Sequence, residues 1–248
     1  MNSNLVSYVK YSPNNYGVRT HKIDRITPHC VVGQCSIEAL GNLFAKKSTY
    51  ASSNYGIGVD GRVGLFVDED KASYCSSSKA NDERAVTIEC ASDNKAPYAF
   101  KPVVYEKLIE LCTDICRRNG KKKLLWCPDK ATTLAYVPKE DEMVLTVHRW
   151  FANKSCPGDW LYSRMSDLAA RVTANLGSEP AVVVRDDRFS PYYVQIVKKT
   201  VVRAAASGDS VARMILGSGV FTIVEEKNGF GKLKSGAGWV DLGTVRRV

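Results

Sequence analysis

Three histidines, His21, His29 and His148, are all that the 248-residue chain holds, and the last opens the stretch HRWFANKSCPGDW, which adds Lys154 and Cys156 within nine residues. A short loop can bring an imidazole and a thiolate so spaced onto one ion. A second imidazole, His29, lies near the end of the strand-like run KIDRITPHCVVG. Zinc accepts this mixture of nitrogen and sulfur, and in catalytic sites it takes three protein ligands and leaves a fourth position for water. The spacing matches no compact C-x-x-C or H-E-x-x-H pattern. Taken singly, either histidine also reads as a satisfied structural residue on its strand. His21, among polar neighbours ahead of the strand, is read that way.

Glu89 is the one charged residue inside the apolar, β-branched run 85–92. A buried carboxylate is costly unless it has a partner or a task. The structural alternative is an ion pair with an arginine such as Arg84. Lys154 has its own alternative, a solvated loop lysine. Cys30, beside His29, raises a rival chemistry, a Cys/His nucleophilic hydrolase. Neighbours along a strand point to opposite faces, so Cys30 is expected to face away from whatever His29 serves and to be buried and inert.

The elements that must hold these residues alternate between strand and helix up to Gly177. Pro28 cannot donate to a sheet, which puts His29 at a strand end or edge. Ser36 can cap a helix carrying Leu40, Leu43 and Phe44, and Asp60-Gly61 joins two strand-like runs as a hairpin. Residues 84–92 read as a buried central strand. Pro102 opens a helix with apolar residues Val104, Leu108, Leu111 and Ile115, closed by Arg117, Arg118 and Gly120. Another helix, capped by Asp159, carries Leu161, Met165, Leu168, Val172 and Leu176 and ends at Gly177.

Beyond it a linker spans 178–190, and 191–248 consists of short runs broken by Gly, Ser and Asp, the pattern of a small all-β barrel. The expected fold is therefore α/β, a mixed central β-sheet flanked by helices, followed by that barrel. The formal charge of +9 points to an anionic partner. From Pro191 onward nine Lys/Arg face four Asp/Glu, so the excess concentrates at the C-terminal end. Nucleic acid, the partner charge alone suggests, lacks an aromatic and basic motif here. The eight cysteines, none after Cys156, sit in a chain too long to need a disulfide scaffold and are read as mostly reduced. Cys112 and Cys116, four apart beside Leu111 and Ile115, are read as core. No run of eighteen apolar residues occurs, and MNSNLVSYVKYSP lacks the basic start and apolar stretch of a secretory signal, so no membrane insertion and no signal peptide are expected.

Four blocks in order, HKIDRITPHC, ASSNYGIGVDGRVGLFVDE, NDERAVTIECAS and TVHRWFANKSCPGDWLY, resemble the zinc-dependent N-acetylmuramoyl-L-alanine amidases of the type-2 family. That family includes phage endolysins and is related to the peptidoglycan-recognition proteins. The likeness covers roughly residues 1–177 and is greatest to clostridial endolysins and autolysins. It implies that His29, His148 and Cys156 are zinc ligands, that Lys154 stabilises the developing oxyanion, and that Glu89 handles the proton of the attacking water. Two departures are Ser53, where some members place a tyrosine, and Pro28, where an apolar residue is usual. Residues 191–248 resemble a bacterial SH3-type cell-wall-binding domain, in which Tyr192, Tyr193, Phe230 and Trp239 serve as ligand-facing aromatics or as core. The resemblance implies a peptidoglycan hydrolase made in a host cytoplasm and acting at the wall after release, with peptidoglycan and anionic wall polymers as partners. A non-catalytic recognition protein and a zinc peptidase acting within the stem peptide are the alternatives.

Overall fold

A computed structural model describes residues 1–177 and 191–248. The chain divides into two compact units, Met1–Arg185 and Asp186–Val248. The linker expected over 178–190 lies outside the described residues.

Among the described residues, nine strands and six helices build the first unit: β1 (Val6–Val9), β2 (Asn15–Val18), β3 (Arg25–Cys30), α1 (Ile37–Phe44), β4 (Tyr55–Ile57), β5 (Val63–Leu65), β6 (Lys71–Ser73), α2 (Lys79–Asp82), β7 (Ala85–Cys90), α3 (Pro102–Arg118), β8 (Lys123–Leu125), α4 (Lys130–Ala135), β9 (Glu142–Leu145), α5 (Asp159–Tyr162) and α6 (Met165–Asn175). Seven of the strands form a mixed sheet in the order β1-β5-β4-β7-β3-β9-β8, and β2 pairs with β6 apart from it. Only β4 and β5, the expected hairpin, run antiparallel within the large sheet, with Gly61 at φ 81° in the turn. Its central strand is β7, as expected of residues 84–92, and β3 lies between β7 and β9, both parallel to it.

Pro28 is therefore interior rather than at an edge, and the backbone shows how. Arg25 and Val31 donate to the β7 side, at Arg84 O and Cys90 O, so by alternation the nitrogen of Pro28 faces β9. β9 has stopped pairing by then, its register ending at Ile26 with Leu145. The missing donor falls at the end of that ladder, just past the bond from Thr146 N–H to Ile26 O at 3.0 Å.

The two faces of the central strands differ in chemistry. Ile26, Cys30, Val86, Ile88 and Cys90 pack with Leu108, Leu111, Cys112 and Ile115 of α3 and Leu168 and Val172 of α6. Cys112 and Cys116 belong to this core, as their neighbours suggested. The opposite face carries Thr27, Thr87 and Thr146, all fully buried and hydrogen-bonded: Thr27 to Thr146 at 2.7 Å, Asn81 Nδ2 to Thr27 at 3.0 Å, and Thr87 to Ser73 at 2.7 Å. A satisfied polar network of this kind fixes geometry where apolar packing tolerates drift. His29 and Glu89 continue that face by the alternation of their strands.

Caps follow the sequence in part. Ser36 Oγ accepts the Ala39 N–H at the start of α1, and Pro102 opens α3. The single helix expected from Asp159 to Leu176 is two, because Arg164 N–H bonds Leu161 O, one residue short of an α-helical partner, while its guanidinium takes Trp160 O at 3.0 Å and stacks on the Trp160 ring at 4.2 Å. The apolar stripe survives the break, since it needs only a common face.

Leu108→Ala, at a fully buried position on α3, is expected to cost about 2–5 kcal/mol in chemical unfolding. A loss under about 1 kcal/mol would contradict the packing described.

The second unit is all-β, as expected: β10 (Tyr192–Ile196), β11 (Thr200–Arg203), β12 (Ala212–Leu216), β13 (Gly219–Lys227), β14 (Phe230–Leu233), β15 (Trp239–Asp241) and β16 (Arg246–Arg247), ordered β12-β11-β15-β14-β13-β10-β16. Val194, Val202, Ile223, Leu233 and Val240 form its core, with Tyr192 packed against it and Tyr193 59% exposed.

Candidate metal centre

The parallel register of β3 and β7 sets His29 opposite Glu89 near the carboxyl ends of both strands, the end at which open α/β sheets hold ligands. β9 ends at Leu145, and His148 begins a single 3₁₀ turn just beyond it. Cys156 returns on the loop that follows, its carbonyl accepting the Arg149 N–H at 3.1 Å. Gly158 makes that loop possible. At φ 82° it lies where glycine is favoured, and a Cβ there would stand 2.8 Å from Pro97 O.

One ligand atom each from His29, His148 and Cys156 lies within 4.8 Å of the others. Cys156 Sγ is 3.3 Å from His29 Nδ1, and the two imidazole rings are 5.0 Å apart at their centroids. Nitrogen and sulfur held tetrahedrally at zinc distances stand roughly 3.5 Å apart, so the donor set fits that ion. Electrostatics agree. Burial, then the neighbouring His148, holds the fully buried His29 well below the ordinary histidine range, and burial followed by the Lys154 charge lowers His148. Both rings are thus kept neutral, the state that binds metal. Burial and then a hydrogen bond with Cys30 push the Cys156 thiol well up. Such a thiol gives up its proton when a cation takes its place.

Cys30 is placed as expected, buried in the apolar core. Alternation sends its side chain away from the polar face that His29 continues. Strand β3 ends there, and Cys156 meets His29 at that end, 3.3 Å from its Nδ1.

Glu89 Oε1 stands 3.9 Å from His29 Nδ1. Because His29 is neutral, this is a contact and not an ion pair. Arg84, the alternative partner, pairs instead with Asp24 at 2.5 Å. Glu89 Oε2 and His29 Nε2 are buried with no hydrogen-bond partner among the described residues. Burial lifts the Glu89 carboxyl to about 7, against a smaller opposing effect from Cys75, whose Sγ lies 3.9 Å from Oε1. A carboxylate so placed can hold or release a proton near neutrality. Lys154 is exposed and forms no ion pair among the described residues, and its charge bears on His148. Ser53 is fully buried, its hydroxyl donating to Tyr55 O at 2.7 Å.

Two residues near the centre escaped the sequence. Cys75 joins His29 and Glu89 in a second group of potential ligands within 4.8 Å, and Ser77 Oγ lies 2.9 Å from His148 Nε2. The only sequence signal is a serine run, Ser76 to Ser78, before Asp82.

The carboxyl edge of the sheet thus gathers two histidines, a cysteine and a carboxylate into a cluster that could hold a metal ion. Residues 19–159 match the family model described as N-acetylmuramoyl-L-alanine amidase. The chain belongs to that amidase family. Similar solved structures include a mutant endolysin from Bacillus subtilis (13% identity, 66% of this chain and 97% of that one, TM-score 0.48). Another is the catalytic domain of XlyA (11%, 66% and 97%, TM-score 0.49), and a third is the endolysin N-acetylmuramoyl-L-alanine amidase LysCS from Clostridium intestinale (14%, 70% and 98%, TM-score 0.43). No curated protein matches the chain in sequence.

Proposed function

We propose that the chain is a zinc-dependent hydrolase that cleaves the amide between the lactyl group of N-acetylmuramic acid and the L-alanine of the stem peptide. The observation that carries the reading is the convergence of His29, His148 and Cys156 within 4.8 Å with Glu89 Oε1 3.9 Å from His29. When bound, zinc polarises the scissile carbonyl and brings the pKa of water towards neutrality. His29, His148 and Cys156 hold the ion. Glu89, poised near 7, accepts a proton from water and returns one to the leaving amine. Lys154 supplies a positive charge for the carbonyl oxygen as it becomes an oxyanion, an interaction that strengthens towards the transition state and so raises turnover.

The domains are assigned as 1–177 for catalysis, 178–190 as linker and 191–248 as an SH3-type wall-binding unit. The basic excess of 191–248 suits an anionic wall polymer, and a second weak contact raises the effective concentration of the catalytic unit at an insoluble substrate. No helix among the described residues is long and apolar enough to cross a membrane. Together these features support a lytic enzyme of the endolysin type, made in a host cytoplasm and acting on the wall.

Digestion of purified peptidoglycan, with and without a zinc chelator, tests the reading by mass spectrometry of newly freed amino termini. The expected result is chelator-sensitive release of L-alanine termini with intact glycan strands. Binding to the wall without new termini would identify a recognition protein, and termini from within the stem a peptidase.

A further inference from the structure

We infer that Ser77 is a positioning residue for His148, aiming the imidazole at the metal. The inference rests on the reading of His148 as a ligand. Ser77 Oγ lies 2.9 Å from His148 Nε2, a contact between residues 71 positions apart. With Nε2 so engaged, Nδ1 is the atom left for an ion. An imidazole that coordinates through Nδ1 carries its proton on Nε2, where it needs an acceptor, and the partner it finds fixes both tautomer and ring orientation. The Ser77 hydroxyl oxygen is that acceptor. Of the two histidines only His148 has one among the described residues, since His29 Nε2 is buried without a partner.

The backbone around Ser77 is built to hold it there. Ser77 has φ 62°, in the left-handed region that L-residues other than Gly, Asn and Asp seldom occupy. The fully buried Asp82 carboxylate accepts the backbone N–H of Cys75 at 3.2 Å and of Ser76 at 3.1 Å. On the other side Ser78 caps α2, its Oγ accepting the Asn81 N–H at 3.3 Å. Both neighbours are thereby pinned, and an uncommon conformation persists where the surrounding structure over-determines it. The same loop places the Cys75 thiol 3.9 Å from Glu89 Oε1, so one short segment touches both a ligand and the carboxylate.

The test measures zinc affinity of the full chain by competition with a chromophoric chelator, for the parent, Ser77→Ala, Ser77→Gly and His148→Ala. Thermal unfolding of each metal-free protein checks the fold. Loss of such an outer partner typically weakens metal binding about 10- to 100-fold, and that loss is expected in both Ser77 variants, with metal-free melting unchanged. Alanine keeps the Cβ that serine already carries in the left-handed conformation and glycine removes it, so the pair separates hydroxyl from backbone. Parent-like affinity in Ser77→Gly with loss only in Ser77→Ala would assign the effect to the backbone and overturn the inference. Affinity within about twofold of the parent in both, while His148→Ala collapses, would overturn it and leave the ligand reading standing. Unchanged affinity in His148→Ala would overturn the ligand reading itself.

Discussion

Glu89→Gln is expected to lower turnover by roughly 10²–10⁴-fold while the protein keeps its metal. The amide preserves the size of the side chain but cannot accept a proton from water. Its carboxyl oxygen stands 3.9 Å from His29 Nδ1, beside the ligand cluster and outside it. Steady-state rates on soluble muropeptides, with metal content measured on the same samples, check this. Metal lost in proportion to activity would make Glu89 a ligand instead of a base. The same residue gives the metal-free protein a pH signature. Its ordinary value is 4.5 and burial raises it to about 7 in the folded chain. Between those values the folded state holds more protons than the unfolded one, so this group's contribution to stability falls as pH rises across the window. Melting of the metal-free parent at pH 5 and pH 8 should show a fall that is smaller in Glu89→Gln.

Cys156→Ala is expected to have the larger effect, removing both the metal and activity, with turnover reduced by about three powers of ten or more. The loss of Lewis-acid stabilisation is worth several kcal/mol, each 1.4 kcal/mol being a factor of ten. Unlike Glu89→Gln, it should leave the protein metal-free at stoichiometric zinc. Retention of one zinc per chain with near-parent activity would place the ion elsewhere. The cysteine is well suited to a decisive test, because its thiol touches His29 at 3.3 Å and its loop is fixed by Gly158.

Much of this centre was legible before the fold was known. His29 and His148 lie where strands finish, and their types, with Cys156, already spell a zinc donor set. The run around Glu89 shows a carboxylate in an apolar strand. What stayed hidden were contacts whose partners share no local pattern. Ser77 meets His148 across 71 positions, and Cys75 meets Glu89 across 14, inside a segment that reads only as polar loop. The threonines of the polar sheet face read as ordinary strand formers, because β-branching favours strands whichever side they bury. The break between α5 and α6 was invisible for a related reason: the apolar stripe from Leu161 to Val172 is continuous, and the interruption arises from Arg164 capturing a main-chain carbonyl. Cys30 was legible too, since alternation along β3 sends it into the apolar core.

The reduced sulfur of the first unit has a consequence for durability. All eight cysteines are free, and Cys30, Cys75, Cys90, Cys112 and Cys116 are buried. Burial pushes the Cys90 and Cys112 thiols well up and that of Cys116 to about 12. Oxidants and alkylating agents attack the thiolate, and they must first reach it. At neutral pH these groups offer neither the ion nor the access. Packing thus shields these core sulfurs from air without a disulfide, and leaves Cys35, Cys127 and Cys156, which are only half-buried, as the thiols an oxidant would meet first.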